Sequence, residues 1–132
     1  MYSKFYVPKK NGGRREILAP DPELKEKQKD LLKKKLYSLI RELSPYAYGF
    51  IPGRNIVENA AVHAGKKYVL NVDIKDFFPS CRWGAINKTL KNVLSEEEIK
   101  LLYYTPDGNY KNAFLPQGAP TSPFVSNLYM LL

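Results

Sequence analysis

Tyr68-Val69-Leu70-Asn71-Val72-Asp73-Ile74-Lys75-Asp76-Phe77-Phe78-Pro79-Ser80 is the stretch on which the reading of this chain turns. Gly65 breaks whatever precedes it. The seven residues from Tyr68 to Ile74 are mostly apolar, which predicts a strand packed on at least one face. A carboxylate, Asp73, sits at the end of that strand. Burying such a group is expensive unless something positive pairs with it, and a divalent cation, a helix N-terminus or an arginine would each serve. Read alone, the segment also has a purely structural account, with Asp76 capping a helix and Asp73 at a solvated strand end.

Toward the C-terminus, Trp83, Ile86, Leu90, Val93 and Leu94 predict a helix, and Ser95 with Glu98 forms a capping box for another. Pro106-Asp107-Gly108-Asn109 is a turn. Leu115-Pro116-Gln117-Gly118-Ala119-Pro120-Thr121-Ser122-Pro123 then reads as a tight loop opening a last helix from about Ser122. Two accounts of this loop stand side by side. It is either a plain helix start, or a rigid loop that brings backbone close to a ligand at Gly118 while Gln117 offers its amide. The final residues are apolar with no cap or polar tail, so the expectation is an element that continues or is covered by another chain.

Toward the N-terminus, residues 55–63 predict a short helix, and residues 46–54 form an aromatic loop with two glycines and a proline. Asp21-Pro22 opens a helix expected to run to Leu43, with Leu24, Gln28, Leu31, Leu32, Leu36, Leu39, Ile40 and Leu43 at helical spacing and Lys25, Lys29 and Lys33 opposite. Phe5-Tyr6-Val7, the turn signal Asn11-Gly12-Gly13, and Arg15-Glu16-Ile17-Leu18 predict a hairpin whose tip carries Lys9, Lys10, Arg14 and Arg15.

At 132 residues, 44% hydrophobic and 26% charged, the chain suits one soluble domain with a core of its own. No apolar run is long enough to span a bilayer, and the first residues lack the apolar stretch of a signal peptide. One cysteine excludes an internal disulfide and makes a reducing cytoplasm the default; one cysteine and one histidine exclude the usual zinc cluster. The net charge is +8, with 13 Lys/Arg against 6 Asp/Glu in residues 1–54 and 8 against 7 in the remainder. A phosphate backbone suits so basic a front part, as does a merely solvated lysine-rich helix face.

Taken together and in this order, the segments resemble reverse transcriptases of bacterial origin, most closely those of retrons. Val7-Pro8-Lys9-Lys10-Asn11-Gly12-Gly13-Arg14-Arg15-Glu16-Ile17 resembles the first fingers motif and Tyr48-Gly49-Phe50-Ile51-Pro52-Gly53-Arg54 the second. Residues 71–80 resemble the palm motif that carries the first catalytic aspartate, and residues 115–123 the palm motif that follows it. The pattern Asn59-Ala60-Ala61-Val62-His63 matches a signature found in retron enzymes just before that aspartate, which group II intron enzymes generally lack.

The resemblance implies an α/β (α+β) fold: right-hand fingers in residues 1–64, and in residues 65–132 a partial palm with an incomplete antiparallel sheet and helices. It implies RNA-directed DNA synthesis by nucleotidyl transfer with two Mg²⁺ ions, which neutralise charge and align the reacting oxygens. Asp73 is then the catalytic and metal-binding carboxylate, with the backbone carbonyl of Ile74 as a further ligand. Phe78 excludes a 2′-hydroxyl, Asp76 and Phe77 line the sugar pocket, Gln117 meets the incoming nucleotide or its template partner, and Gly118 belongs to the same nucleotide site. Lys9 or Lys10, with Arg15, holds the triphosphate. Lys25, Lys29, Lys33 and Arg54 face template or primer phosphates.

The implied partners are dNTPs and a structured non-coding RNA serving as template and primer, with a role in antiviral defence; a complementary chain or an effector protein is a further expectation. The chain departs from the family in carrying no Tyr-x-Asp-Asp turn and no thumb. One carboxylate cannot hold two Mg²⁺ ions tightly, so this chain by itself is expected to bind the metal weakly and to extend no primer. A nucleic-acid- or protein-binding remnant without chemistry, and one half of a split enzyme, are the alternatives.

Overall fold

The computed structural model describes residues 1–131. Two seven-residue strands, β1 (Tyr2–Pro8) and β2 (Arg14–Pro20), pair antiparallel with Tyr2 opposite Pro20 and Pro8 opposite Arg14. The turn that joins them needs Gly12 and Gly13, both at positive φ (82° and 80°), which explains the Asn-Gly-Gly signal. Lys9 N–H closes it onto the Gly13 carbonyl at 3.1 Å.

Asp21 caps α1 (Pro22–Lys34) by accepting the Leu24 N–H at 2.9 Å, with Pro22 in the first turn and Lys33 and Lys34 in the last. The helix is shorter than the spacing predicts. At Lys35 the backbone leaves α geometry, and residues Leu36–Glu42 tighten into a 3₁₀ helix. Three residues per turn stack Leu36 and Leu39 one above the other, and both are buried. Lys35 at the joint reaches Glu98 at 2.5 Å, tying this break to α5 (Glu96–Lys100). Gln28 belongs to the buried face, as its position in the helical series indicates. Its Nε2 donates to the Tyr2 hydroxyl and to the Leu101 carbonyl, both at 2.7 Å, and so joins hairpin, α1 and α5. Burial pushes the Tyr2 hydroxyl up to about 12.

The short helix α2 (Ile56–Ala61) carries a complete capping box between Asn55 and Glu58. From there to Asp76 every residue is exposed, and residues 68–74 form no strand. Tyr68, Leu70 and Val72 are 82%, 86% and 83% exposed. The reason is that a strand exists only through its neighbours: no segment among the described residues pairs with this backbone, so β-propensity alone leaves it without a ladder. The antiparallel sheet expected in the palm is therefore not formed, and the one sheet among the described residues is the hairpin.

After α3 (Phe77–Ser80) the chain was expected to run as a helix from Trp83 to Leu94. Gly84 instead takes φ 97°, Trp83 N–H goes to the Ala113 carbonyl at 2.9 Å, and only Asn87–Leu90 (α4) is helical. Ile86, Leu90 and Leu94 still reach the core. Phe114 then bridges two segments: it exchanges both backbone bonds with Tyr104 (2.9 and 3.1 Å) and lies opposite Arg82. Leu115 N–H follows onto the Cys81 carbonyl at 3.1 Å. The closing helix α6 (Ser122–Tyr129) buries Phe124, Val125 and Leu128 in one continuous core that also takes Leu31, Leu43, Ile99 and Leu102. Tyr129 donates to the Arg82 carbonyl and shares a 2.8 Å hydrogen bond with Tyr103, whose hydroxyl burial pushes up to about 12. Among the described residues no helix is long and apolar enough to cross a membrane.

The joint between hairpin and loop leaves no room for a side chain. Leu18 N–H donates to the Gln117 carbonyl at 2.8 Å, and Gly118, at φ 131°, lies so close that a Cβ there would stand 2.8 Å from the Leu18 carbonyl oxygen and 3.0 Å from Ile17 Cγ2. Gly118→Ala is therefore expected to destabilise the chain by about 2–3 kcal/mol in urea unfolding. Gly49→Ala, which meets open space outside the left-handed region, should be close to neutral.

Acid should also act through this scaffold. Lys35 beside Glu98, and the Asn109 N–H and Asn112 amide beside Asp107, hold both carboxyls below their ordinary range. A carboxyl depressed on folding contributes stability above its unfolded pKa and loses it as pH falls through the folded value. The thermal midpoint should thus hold between about pH 7 and 5 and fall below about pH 4; a midpoint that rises on acidification would contradict the pairing.

Candidate active-site cleft

An open cleft of about 750 Å³ lies between the hairpin, the segment leading into α3, the aromatic loop, Gln117 and the second half of α6. Each wall has a local cause. The hairpin supplies Lys9, Arg14 and Arg15 because its two-glycine turn sets the basic tip at the end of β1 and β2. Among the described residues these three make no ion pair, so their charge is available to an anion. Glu16, on the same wall, is already engaged by Lys4 at 3.0 Å and by the Tyr6 hydroxyl at 3.1 Å.

Asp73, Ile74, Lys75 and Asp76 form the facing wall. Asp73 is exposed there, and the strand expected to carry it does not form. Asp76 adopts a left-handed conformation (φ 51°, ψ 42°), which aspartate tolerates better than most residues. It stands at the N-cap of α3, yet its carboxylate makes no capping bond. Its carbonyl does the tethering, accepting from Ser80 N–H at 3.0 Å and Ser80 Oγ at 2.9 Å. The side chain is thereby left free at the cleft. Phe77 and Phe78 follow, half-buried, with ring centroids 5.9 Å apart, and both pack against the main core.

Gln117 completes the floor. Its carbonyl is fixed by Leu18, while among the described residues its side-chain amide has no partner. Gly118 is not part of the lining. The close backbone approach its missing side chain permits is to β2 of this chain, so the glycine serves the joint before any ligand.

Eight of the residues singled out from sequence thus share one cavity: Lys9, Arg15, Asp73, Ile74, Asp76, Phe77, Phe78 and Gln117. The rest lie elsewhere. Lys10 lines a shallow depression at the hairpin tip with Val7, Pro8 and Asn11, so of the two lysines Lys9 is the one on the cleft. Lys25, Lys29 and Lys33 are on α1 away from it, and Lys29 is paired with Glu26 at 2.6 Å. Asn59 and His63 sit on and just after α2, exposed and outside the cavity. Arg54 does not reach outward toward a phosphate. Its Nη1 donates to the Ser44 carbonyl at 2.7 Å and to the Ala47 carbonyl, so it staples the aromatic loop.

Lys75, Gly49 and Phe50 lie within quoted motifs but were given no role of their own, and Asn127 was not singled out; all four line the cleft. Arg14 had been placed only at the hairpin tip. Asn127 Nδ2 donates to the Gly49 carbonyl at 2.9 Å, which holds the aromatic loop against α6. An amide side chain in a helix that otherwise carries only apolar residues, serines and a tyrosine was the signal available for it.

Among the described residues no three His, Cys, Asp or Glu side chains gather into a metal-binding group. Asp73 and Asp76 are the two acidic groups of the cleft that lack a basic partner. Mg²⁺ accepts one or two carboxylates together with water and substrate phosphates, but a pair of ions needs more oxygen ligands than these residues supply. The donor set does not fit a two-metal centre.

Comparison with known sequences follows the same lines. Residues 7–131 match the family described as reverse transcriptase (RNA-dependent DNA polymerase). The retron Mx65 reverse transcriptase of Myxococcus xanthus is 36% identical over 98% of this chain, the retron Mx162 reverse transcriptase of the same organism 37% over 98%, and the retron Ec86 reverse transcriptase of Escherichia coli 35% over 95%. The aligned regions cover 34%, 30% and 39% of those proteins, so the chain spans about a third of the length of the curated relatives it matches. With a family match over almost its whole length and a basic hairpin, an aspartate segment and a Gln-Gly loop on one cavity, the chain belongs to the reverse transcriptase family.

Proposed function

We propose that this chain forms the nucleotide-binding fingers and palm part of a retron-type RNA-directed DNA polymerase. The observation that carries the proposal is the convergence of Lys9, Arg15, Asp73, Phe78 and Gln117 on one cleft from segments far apart in sequence. In this reading residues 1–64 act as fingers and residues 65–132 as part of the palm.

The division of labour follows from the chemistry of the walls. A triphosphate is an extended anion, and a guanidinium fork beside an ammonium matches its oxygens. Lys9, Arg14 and Arg15 hold it at the hairpin side. The ribose then lies over Phe77 and Phe78, where the Phe78 ring occupies the space a 2′-hydroxyl would need, so deoxynucleotides are preferred. The free amide of Gln117 meets the base or its template partner. Asp73 and the Ile74 carbonyl face the reacting phosphate and are the groups that would hold Mg²⁺. A single Mg²⁺ held there together with the triphosphate oxygens would supply charge neutralisation. Copying an RNA template, a structured RNA as partner and a role in defence against phage belong to the same proposal.

Binding of a fluorescent dNTP in MgCl₂, followed by anisotropy, tests the reading. The chain should bind it, and Arg15→Ala should weaken binding about tenfold by removing a charge-assisted hydrogen bond. Unchanged affinity in that variant, or no binding at all, would overturn the assignment of the hairpin. Competition with unlabelled dNTP and the matching rNTP reads the second element. Phe78→Ala should narrow the difference between the two sugars, and a preference that stays as wide would remove Phe78 from the sugar site.

A further inference from the structure

Two residues other than glycine have positive φ among the described residues, Asp76 and Phe50, and both line the cleft. Asp76 belongs to the aspartate segment. Phe50 (φ 61°) has no such account. A bulky side chain in the left-handed region is strained, and the neighbouring Gly49, which would tolerate that conformation freely, does not adopt it. The loop is held in this state from both ends. Asn127 fixes the Gly49 carbonyl on one side of Phe50; on the other, Ile51 is buried and Arg54 binds the carbonyls of Ser44 and Ala47.

The result is an aromatic residue, 71% exposed, on a left-handed backbone tethered on both sides. Burial therefore does not explain its placement. Phe50 also lines a second, largely apolar groove of about 390 Å³, together with Tyr37, Pro120, Pro123 and Phe124. It stands as a ridge between that groove and the basic cleft.

We propose that Phe50 is a stacking platform for an unpaired base of the template strand at the rim of the cleft. The occupant follows from the surroundings. Lys75, which lines the same cavity and makes no ion pair among the described residues, suits a strand's phosphate apart from the triphosphate side, and a rigid exposed aromatic face beside such a cation is how single strands are held without regard to sequence. This inference rests on the nucleotide-binding reading of the cleft.

The experiment is anisotropy titration of the chain with a fluorescein-labelled single-stranded RNA 12-mer and with an abasic oligoribose phosphate of the same length. Phe50→Ala is expected to weaken binding of the base-bearing strand about tenfold and to leave the abasic strand unchanged, while Phe50→Tyr retains wild-type affinity for both. Phe50→Gly should repeat the loss with a thermal midpoint at or above that of the wild type, since glycine relieves the backbone; this separates a lost platform from lost folding.

Equal loss on both strands, or no loss on either, overturns the platform while leaving the nucleotide-binding reading intact if the dNTP titration succeeds. Failure of the wild type to bind either strand overturns the platform as well. If the dNTP titration also fails, the reading of the cleft falls with it.

Discussion

One backbone hydrogen bond, from Leu18 N–H to the Gln117 carbonyl, and the close approach of Gly118 beside it set the geometry of everything else. The hairpin is a two-stranded ribbon, too small to be stable in isolation, and its basic tip would have no defined position without a dock. The dock is a loop whose own position is fixed by Leu115 on Cys81 and by the burial of Thr121 and Ser122 at the start of α6. A side chain larger than hydrogen at residue 118 would push the two apart. The cleft thus owes its width to a missing methyl group.

The two walls differ in how they are held. The hairpin side is anchored through backbone contacts and through the fully buried Gln28 amide, which ties Tyr2 to the body of the molecule. The aspartate side is anchored only at its lower end, where Phe77 and Phe78 pack on the core and Ser80 bonds back to Asp76. Above that point, residues 68–74 run exposed. Asp73 is therefore positioned by its connection to the α3 turn rather than by a sheet.

Local signals read well from sequence wherever the cause is local. Asn11-Gly12-Gly13 specified the hairpin because positive φ is needed there, and Asp21 and Ser95 marked helix starts because each accepts an orphan N–H. The grouping of Lys9, Arg15, Asp73, Phe78 and Gln117 was legible through the resemblance of ordered motifs, not through periodicity. What failed has non-local causes. Residues 68–74 have strand composition, but a ladder needs a second strand. The helix expected from Trp83 was interrupted because Gly84 and the Ala113 carbonyl offered the backbone another arrangement. Arg54 looked like a phosphate ligand because sequence does not show that two loop carbonyls stand within its reach. The strain at Phe50 is likewise invisible without dihedral angles.

Cys81 ends α3, and its carbonyl receives the Leu115 N–H that joins the aspartate segment to the Gln-Gly loop. Its thiol is sealed in the core, and burial pushes it up to about 11, so almost none is thiolate near neutrality. Alkylating reagents and oxidants can reach that sulfur only when the packing around it opens. The chain's one cysteine is in effect a built-in chemical clock: its rate of modification reports how often the floor of the cleft comes undone, while the same seclusion shields the floor from oxidative damage as long as it stays closed.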